Sequence, residues 1–482
     1  MKLHKLFTLL VVAAMLLAFA PAASAQQPVG DWVSGISCQN LDEANPAAIT
    51  LEFYQEGEAT AALTYNDTIV AGGFKGYYTP DTPVGLPTNF LGSVMIQSSA
   101  PLACNVNTQV LMAGAGTAAN PNRVATSAGF GDAETSTTMY APQVMKAYYN
   151  WNSYIAVQNA TDAEISVTLS YKNRTGADVA AATETLTIPG YSNHVFYQAE
   201  NADLPSNFVG AATITGTGAV AVTVNFYNDG TAAGTSQMHS YNGFSVGDTT
   251  LLVPRFVRRY YGYNSGLTIQ NIGAAATTAT ITFTFNGTNY THTTGLIQPN
   301  AALVLYATDI DELDVLDAGE MRYRSGNAVV TATEDIIAIV NEDNRGLAAD
   351  NGGDVVPDTR IGQGSTYNAF TDASKSNDIF FAQITDLPAY NWAGGYQIAN
   401  TTNVAGTCTA TFPSAGGLEV NYTLPASGAI SQFAPNVAGL DTYNAAVIIN
   451  CSQPVVGISN LAYVAASGLL GDSFTTANGL NR

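Results

Sequence analysis

The residues able to do chemistry are few. Beyond residue 25 the chain keeps three histidines, His194, His239 and His292, and four cysteines, Cys38, Cys104, Cys408 and Cys451. A hydrolase needs a nucleophile beside a base, or two carboxylates at fixed separation. A zinc site needs Cys and His at short spacing. No HExxH, GxSxG, P-loop or CxxC pattern occurs, no two cysteines lie within 40 residues, and no His flanks them. The histidines therefore read as solvated or turn-associated, with no catalytic residue and no cofactor expected. A polysaccharide-degrading enzyme would require two carboxylates meeting only in the fold.

Two acidic stretches could supply oxygen ligands to calcium: Asp309-Ile-Asp311-Glu312-Leu-Asp314-Val-Leu-Asp317, and Glu342-Asp343-Asn344 with Asp350 to Asp354 just after. Neither matches a known calcium-loop spacing, so solvated acidic loops are expected and no metal site is assigned. Arg255, Arg258 and Arg259, beside Phe256, Tyr260 and Tyr261, form the basic island of the chain. It would either face acids across a junction or guard an edge strand against aggregation. Exposed Tyr and Trp could stack on sugar rings, although Trp32, Trp151 and Trp392 read as core.

Composition narrows the partners. Across 482 residues there are 37 Asp+Glu against 16 Lys+Arg, a formal net charge of −21, yet DEKR make up only 11%. So little base excludes a nucleic-acid binder, which needs a cationic face, and argues against anionic membrane surfaces. The N-terminus carries Lys2 and Lys5, an apolar run from Leu6 to Ala20, and Ala23-Ser24-Ala25, the pattern of a secretory leader cleaved after Ala25. No later stretch is long and apolar enough to cross a bilayer as a helix. Four cysteines in an exported chain read as two disulfides.

Internal comparison supplies the organisation. One strand opening occurs four times, as Trp32 to Asn40, Trp151 to Asn159, Tyr263 to Asn271 and Trp392 to Asn400. Each alternates aromatic, small and apolar residues at every second position, the period of a half-buried strand. Each closes on Asn, which tolerates left-handed geometry and bonds nearby backbone. A second landmark, an apolar strand ending in Asn, lies 60 to 70 residues on, at Leu102 to Asn107, Val220 to Asn225, Ile336 to Asn341 and Val455 to Asn460. The first two copies share Leu86-Pro87-x-x-Phe90-x-Gly92 and Leu204-Pro205-x-x-Phe208-x-Gly210. A third landmark is a Gly/Asn-Phe turn at Gly129-Phe130, Asn242-Gly243-Phe244, Asn368-Ala369-Phe370 and Asp472-Ser473-Phe474. New strands then begin at Ala141-Pro142-Gln-Val144, Val253-Pro254-Arg-Phe256 and Ala382-Gln-Ile384.

Openings spaced 119, 112 and 129 residues apart, with short alternating strands between turn clusters, predict an all-β chain of four tandem immunoglobulin-like antiparallel sandwiches in a beaded rod. The boundaries fall at 26–136, 137–249, 250–378 and 379–482, after the leader 1–25. A propeller would need a shorter period. Of three possible pairings, the repeat alignment favours Cys38 with Cys104 in the first module and Cys408 with Cys451 in the last. The first would pin two sheets across a core, as in antibody domains.

At these landmarks the chain resembles a type of uncharacterised bacterial secreted protein built from tandem modules with W-x-S-x-I-x-V-Q-N openings, LP-x-x-F-x-G elements, YNGF turns and AP-x-V starts. The resemblance implies an extracellular or cell-surface location and brings no catalytic residues. The function expected is that of a non-enzymatic structural or adhesive surface protein acting by multivalent contact with surface glycans, other surface proteins or copies of itself. A carbohydrate-binding protein, the alternative, would cluster aromatics on exposed faces of several modules.

Overall fold

Period-two alternation governs the local structure. In Ile165–Asn173 the side chains of Ile165, Val167, Leu169 and Tyr171 are buried while Ser166, Thr168 and Ser170 turn to the other face. The computed structural model describes residues 31–111, 122–228, 236–346, 361–464 and 471–481. The expected leader and the acidic residues Asp350 to Asp354 lie outside the described residues.

Strands dominate, joined by turns and short 3-10 segments. The first unit holds β1 (Asp31–Asn40), β2 (Ala47–Gln55), β3 (Ala61–Ile69), β4 (Phe74–Tyr78), β5 (Gly92–Ser98), β6 (Leu102–Leu111) and β7 (Arg123–Ala128). The second holds β8 (Ser136–Lys146), β9 (Trp151–Asn159), β10 (Ile165–Asn173), β11 (Glu184–Ile188), β12 (Asn193–Tyr197), β13 (Phe208–Asn228) and β14 (Met238–Asn242). The third holds β15 (Asp248–Val257), β16 (Asn264–Asn271), β17 (Ala279–Phe285), β18 (Thr288–Thr293), β19 (Ala302–Tyr306), β20 (Ser325–Asp343), β21 (Gly364–Asn368) and β22 (Phe370–Thr371). The fourth holds β23 (Ser376–Leu387), β24 (Trp392–Asn400), β25 (Gly406–Phe412), β26 (Leu418–Leu424), β27 (Ala429–Phe433), β28 (Asn444–Tyr463), β29 (Phe474–Asn478) and β30 (Leu480–Asn481).

The second unit shows the recurring plan. The long strand β13 pairs with β10 along its first half and with β9 and β14 along its second, while β8 covers the other edge of the first half. The two halves fold over one core, in which Val167, Leu169 and Ile214 meet Ile155, Val157 and Val222. β20 and β28 do the same in the third and fourth units. All pairings between these strands are antiparallel. Glycine allows the close approach of strands where the shared LP-x-x-F-x-G element ends. A Cβ on Gly92 would lie 2.1 Å from the Tyr54 carbonyl oxygen, and one on Gly210 would lie 2.1 Å from that of Lys172.

The first unit departs from the plan. Its long strand is broken between β5 and β6 at Ser99-Ala-Pro101, and Pro101 has no N–H to give a ladder. The result is two separate sheets, β3-β2-β5 and β4-β1-β6-β7. Among the described residues, no strand stands where β8, β15 and β23 stand in the other units.

Each closing Asn of the opening strands is buried and works as a staple. Asn159 Nδ2 donates to the carbonyls of Ala163, Ile188 and Pro189 at 2.6, 3.1 and 3.0 Å, and its Oδ1 accepts from the Thr161 N–H at 2.9 Å. Asn40, Asn271 and Asn400 repeat the pattern. None of the four uses the left-handed geometry that Asn tolerates; each bonds nearby backbone, as expected, from the end of its strand.

The rod is not what forms. The four units close on themselves, because strands β7, β14, β21 and β29, one from each, pack side by side. Asn242 Nδ2 donates to the Ala128 carbonyl at 2.9 Å, Asn368 Nδ2 to that of Asn242 at 2.6 Å, and Asn478 Nδ2 to that of Asn368 at 2.7 Å. Thr475 of the last unit bonds Thr126 of the first at 2.7 Å. At the other end of these strands Asp472 is fully buried. Its carboxylate accepts N–H bonds from Met238 at 2.9 Å, Gly364 at 2.9 Å and Phe474 at 3.2 Å, while its backbone pairs with Asn122. Burial pushes the Asp472 carboxyl well above the ordinary carboxylate range, against the opposing pull of those three N–H groups and of Arg123.

Two further expectations are corrected. The third landmark of the fourth unit is Asn478-Gly479-Leu480, since Leu480 pairs with Phe380 as Phe370 pairs with Leu252. Asp472-Ser473-Phe474 is instead the start of the axial strand. The disulfides Cys38–Cys104 and Cys408–Cys451 are present, but each joins directly opposed residues of neighbouring strands in one sheet, with Cα atoms 4.2 and 4.0 Å apart. Neither pins two sheets together.

Because Asp472 satisfies donors from three units, Asp472→Ala leaves buried N–H groups without acceptors. At about 1–3 kcal/mol for each unsatisfied group, a loss of at least about 3 kcal/mol is expected in chemical denaturation. A loss below about 1 kcal/mol would show that the axis does not depend on this carboxylate.

Candidate functional site

The ionisable groups singled out from sequence are taken up by structure. Arg255 on β15 is buried and makes a two-pronged pair with Glu342 on β20, both bonds 2.7 Å. Although burial pulls the Arg255 pKa down, the charge and hydrogen bonds of Glu342 raise it, so the guanidinium stays charged. Its Nη1 also reaches Gln397 of the fourth unit at 3.3 Å. Arg258, with almost no exposure, donates to Asp317 at 3.0 and 2.8 Å and to Asp314 at 2.6 Å; Arg259 also pairs with Asp317. Burial alone would raise the Asp317 carboxyl, but hydrogen bonding to Arg258 and the neighbouring guanidinium charges hold it below its ordinary value.

The basic island and the first acidic stretch are therefore partners within one unit. Arg255 in addition spans a junction. Among the described residues, no group of three or more His, Cys, Asp or Glu is placed to hold a metal ion.

The histidines separate into two kinds. His194 lies 3.0 Å from Glu56 across the first junction, and His292 lies 3.0 Å from Glu312 at the surface. His239 is buried beside the axis, stacked on Phe226, edge-on to Trp151 and 2.9 Å from Thr366 Oγ1. Desolvation pushes its pKa down to about 3, so it is neutral in the fold. The recurring Trp residues are half-buried: Trp151 packs on the core of its own unit and on Phe226, Trp32 packs on a smaller apolar cluster, and Trp392 lies edge-on to Tyr463. Trp32 sits edge-on to Tyr154 of the next unit with ring centroids 6.4 Å apart.

Among the described residues, a large cleft of about 1610 Å³ lies between the first and second units and runs to the end of the axial strands. One wall is β5 and the opened core of the first unit, including Val94 and Ile96. The other is the outer face of β9 and β13, with Tyr154, Ala156, Thr223 and Asn225. The acids on its rim, Asp132 and Glu134, belong to one exposed turn, where Glu134 accepts the Gly131 N–H at 2.7 Å. Strand edges, apolar side chains and amides suit the binding of a chain segment.

This cleft was not expected from sequence. The signal was there in the spacing. Counting back from Trp151 and Trp392 places a strand 5 to 15 or 16 residues ahead of each opening, and the same interval ahead of Trp32 falls on residues 16–27, which include the cleavage position expected after Ala25.

No family model matches the chain, and no curated protein matches it. Among solved structures, the Thermotoga maritima protein 1070 is 15% identical, covering 26% of this chain and 96% of its own, with a TM-score of 0.20. A mutant of the major pilin from Streptococcus pyogenes is 9% identical, covering 93% of this chain and 99% of its own, with a TM-score of 0.15. Likeness at these scores carries no argument.

Removing one partner of a buried pair leaves the other charge unpaired, which costs about 3–5 kcal/mol. Arg255→Met should lose that much in urea denaturation, and Arg255→Met with Glu342→Leu should recover most of it. An equal loss in single and double variants would contradict the pairing.

His239 yields a pH dependence. Its folded pKa lies below its unfolded value, so the unfolded chain takes up the proton first as pH falls. The contribution of His239 is complete above about pH 6.5 and declines by about 1.4 kcal/mol per pH unit towards pH 3. The stability difference between His239→Gln and the parent chain should change with that slope between pH 6 and 4. A pH-independent difference would refute it.

Proposed function

We propose that the chain is an exported, non-enzymatic structural or adhesive protein, built from four immunoglobulin-like sandwich units and acting outside the cell after removal of residues 1–25. The observation that carries the reading is the assignment of the polar groups. The arginines and acids that could serve chemistry close junctions, as Arg255, Glu342 and Gln397 do, or a local loop, as Arg258 and Asp317 do. The large cleft offers strand edge and apolar surface instead. Two disulfides in a chain with a leader-like start fit an oxidising compartment. Mutual contact of the four units changes the mechanism expected from a rod. A closed body sets no reach, so binding would depend on fixed faces rather than on extension.

A second reading, carbohydrate binding, has one observation in its favour. The turn between the first two strands of the second, third and fourth units carries Tyr149, Tyr261 or Tyr390, next to residues with positive φ. Tyr149 and Tyr390 are 78% and 69% exposed. A polar-tipped ring on a fixed turn suits stacking on sugars.

Surface labelling of intact cells and N-terminal sequencing test the main reading. The protein should be recovered outside the membrane, beginning at Gln26, with its disulfides formed; recovery in the cytoplasm, or release of sugars from polysaccharide by the pure protein, would overturn it. For the second reading, Tyr149→Ala, Tyr261→Ala and Tyr390→Ala together should lower retention on cell-wall polysaccharide at least tenfold. Unchanged retention would remove the tyrosines from any sugar site.

A further inference from the structure

β8, β15 and β23 each perform two tasks. Each pairs with the first half of its own unit's long strand, and each lays its outer face on the opening and long strands of the next unit. One position on these strands makes the second contact. Gln143 Oε1 accepts from Thr268 at 2.8 Å and from Asn341 at 2.9 Å. Arg255 donates to Gln397 at 3.3 Å. Gln383 Oε1 accepts from Ser37 at 3.4 Å and from Asn107 at 2.9 Å, which closes the last unit onto the first.

Between the first and second units both partners of such a strand are present and, among the described residues, the strand is not. On one side, among the described residues, β5 pairs with β2 alone. On the other, Ala156 takes the place of Ser37, Thr268 and Gln397 in the opening strand, and Asn225 takes the place of Asn107 and Asn341 in the long strand. The loss of cover is visible in the core. Val94 and Ile96 are partly exposed, whereas Ala212 and Ile214, Ala328 and Val330, and Val447 and Ile449, their counterparts in register, are buried. The β5 sequence, GSVMIQS, carries neither charge nor proline, the devices that blunt an exposed edge.

We infer that the mature protein is a strand acceptor, and that an extended segment of a different protein completes its first unit by pairing antiparallel to β5 and packing on Ala156 and Asn225. The three filled junctions define the chemistry of that segment. They read Met139-Tyr-Ala-Pro142-Gln143-Val144, Leu251-Leu-Val-Pro254-Arg255-Phe256 and Ile379-Phe-Phe-Ala382-Gln383-Ile384. Three apolar residues are followed by Pro or Ala, then Gln or Arg, then an apolar residue. The pairing register shifts at the Pro or Ala in every case, so a residue without an N–H is tolerated there. Backbone bonds supply affinity in such strand addition, and alternate side chains supply selectivity. The inference rests on removal of residues 1–25 at export, since the interval 16–27 would otherwise keep within the chain a segment able to reach the same place.

The test uses the disulfide-bonded chain 26–482 and a fluorescent peptide with the sequence of residues 136–146, against a scrambled peptide. Binding at least tenfold tighter than the scramble is expected, with exchange of the β5 amides slowed at least tenfold on binding. Ala156→Trp, on the facing wall, should weaken binding at least tenfold while leaving the melting temperature unchanged. Two results would overturn the inference. One is β5 amides already protected without peptide, in a monomer through a segment of its own or in a dimer through a second copy, as light scattering would show. The other is no binding while those amides exchange freely. Failure of the export reading is separable: N-terminal sequencing would then find residues 1–25 retained, whatever the peptide does on 26–482.

Discussion

Buried polar groups must find partners, and the axis of this molecule shows that constraint governing a whole architecture. Four strands, one from each unit, meet where no solvent reaches Asp472, Asn122 or His239. Met238, Gly364 and Phe474 each direct an N–H at the Asp472 carboxyl, which satisfies buried donors that would otherwise carry a desolvation cost. The Asn242, Asn368 and Asn478 amides do the same work at the other end. Closing the ring and satisfying these groups are one event. An open arrangement would leave the same N–H groups to water.

That constraint also accounts for the odd composition. A chain with so few charges cannot hold its junctions by surface ion pairs, which are worth little in any case. It uses amides and hydroxyls across the joins, and the Arg255 of a buried bidentate Arg–Glu pair in the third unit also reaches Gln397 of the fourth. The acids remaining outside give the negative net charge, a matter of solubility rather than of fold.

The repeats are alike in plan and unequal in role. Breaking the long strand at Ser99-Ala-Pro101 and leaving β5 with one neighbour opens the first unit along the edge that the others cover. The cleft goes with those differences, and the facing wall on β9 and β13 carries Ala156 where the other junctions carry a hydrogen-bonding side chain. Among the described residues, the asymmetry between the units comes from a strand without a second neighbour rather than from an added residue.

Strand positions, the four openings with an Asn that bonds nearby backbone, and the cysteine partners were legible in the sequence, because period-two burial and turn chemistry act over a few residues and recur. The fate of Arg255, Arg258, Asp314 and Asp317 was half legible: their charges were evident, their pairing was not. Closure was beyond sequence reading. It depends on contacts such as Asn122 with Asp472, 350 positions apart, and no local pattern marks which polar strand faces will be buried. Misplacing the last turn at Phe474 instead of Leu480 has the same origin, since register against β23 decides it. What the sequence determined by itself is the repeating strand pattern and its covalent ties. The tertiary structure decided that the units meet in a ring, because only burial of four strands together makes Asp472 and the asparagines into partners.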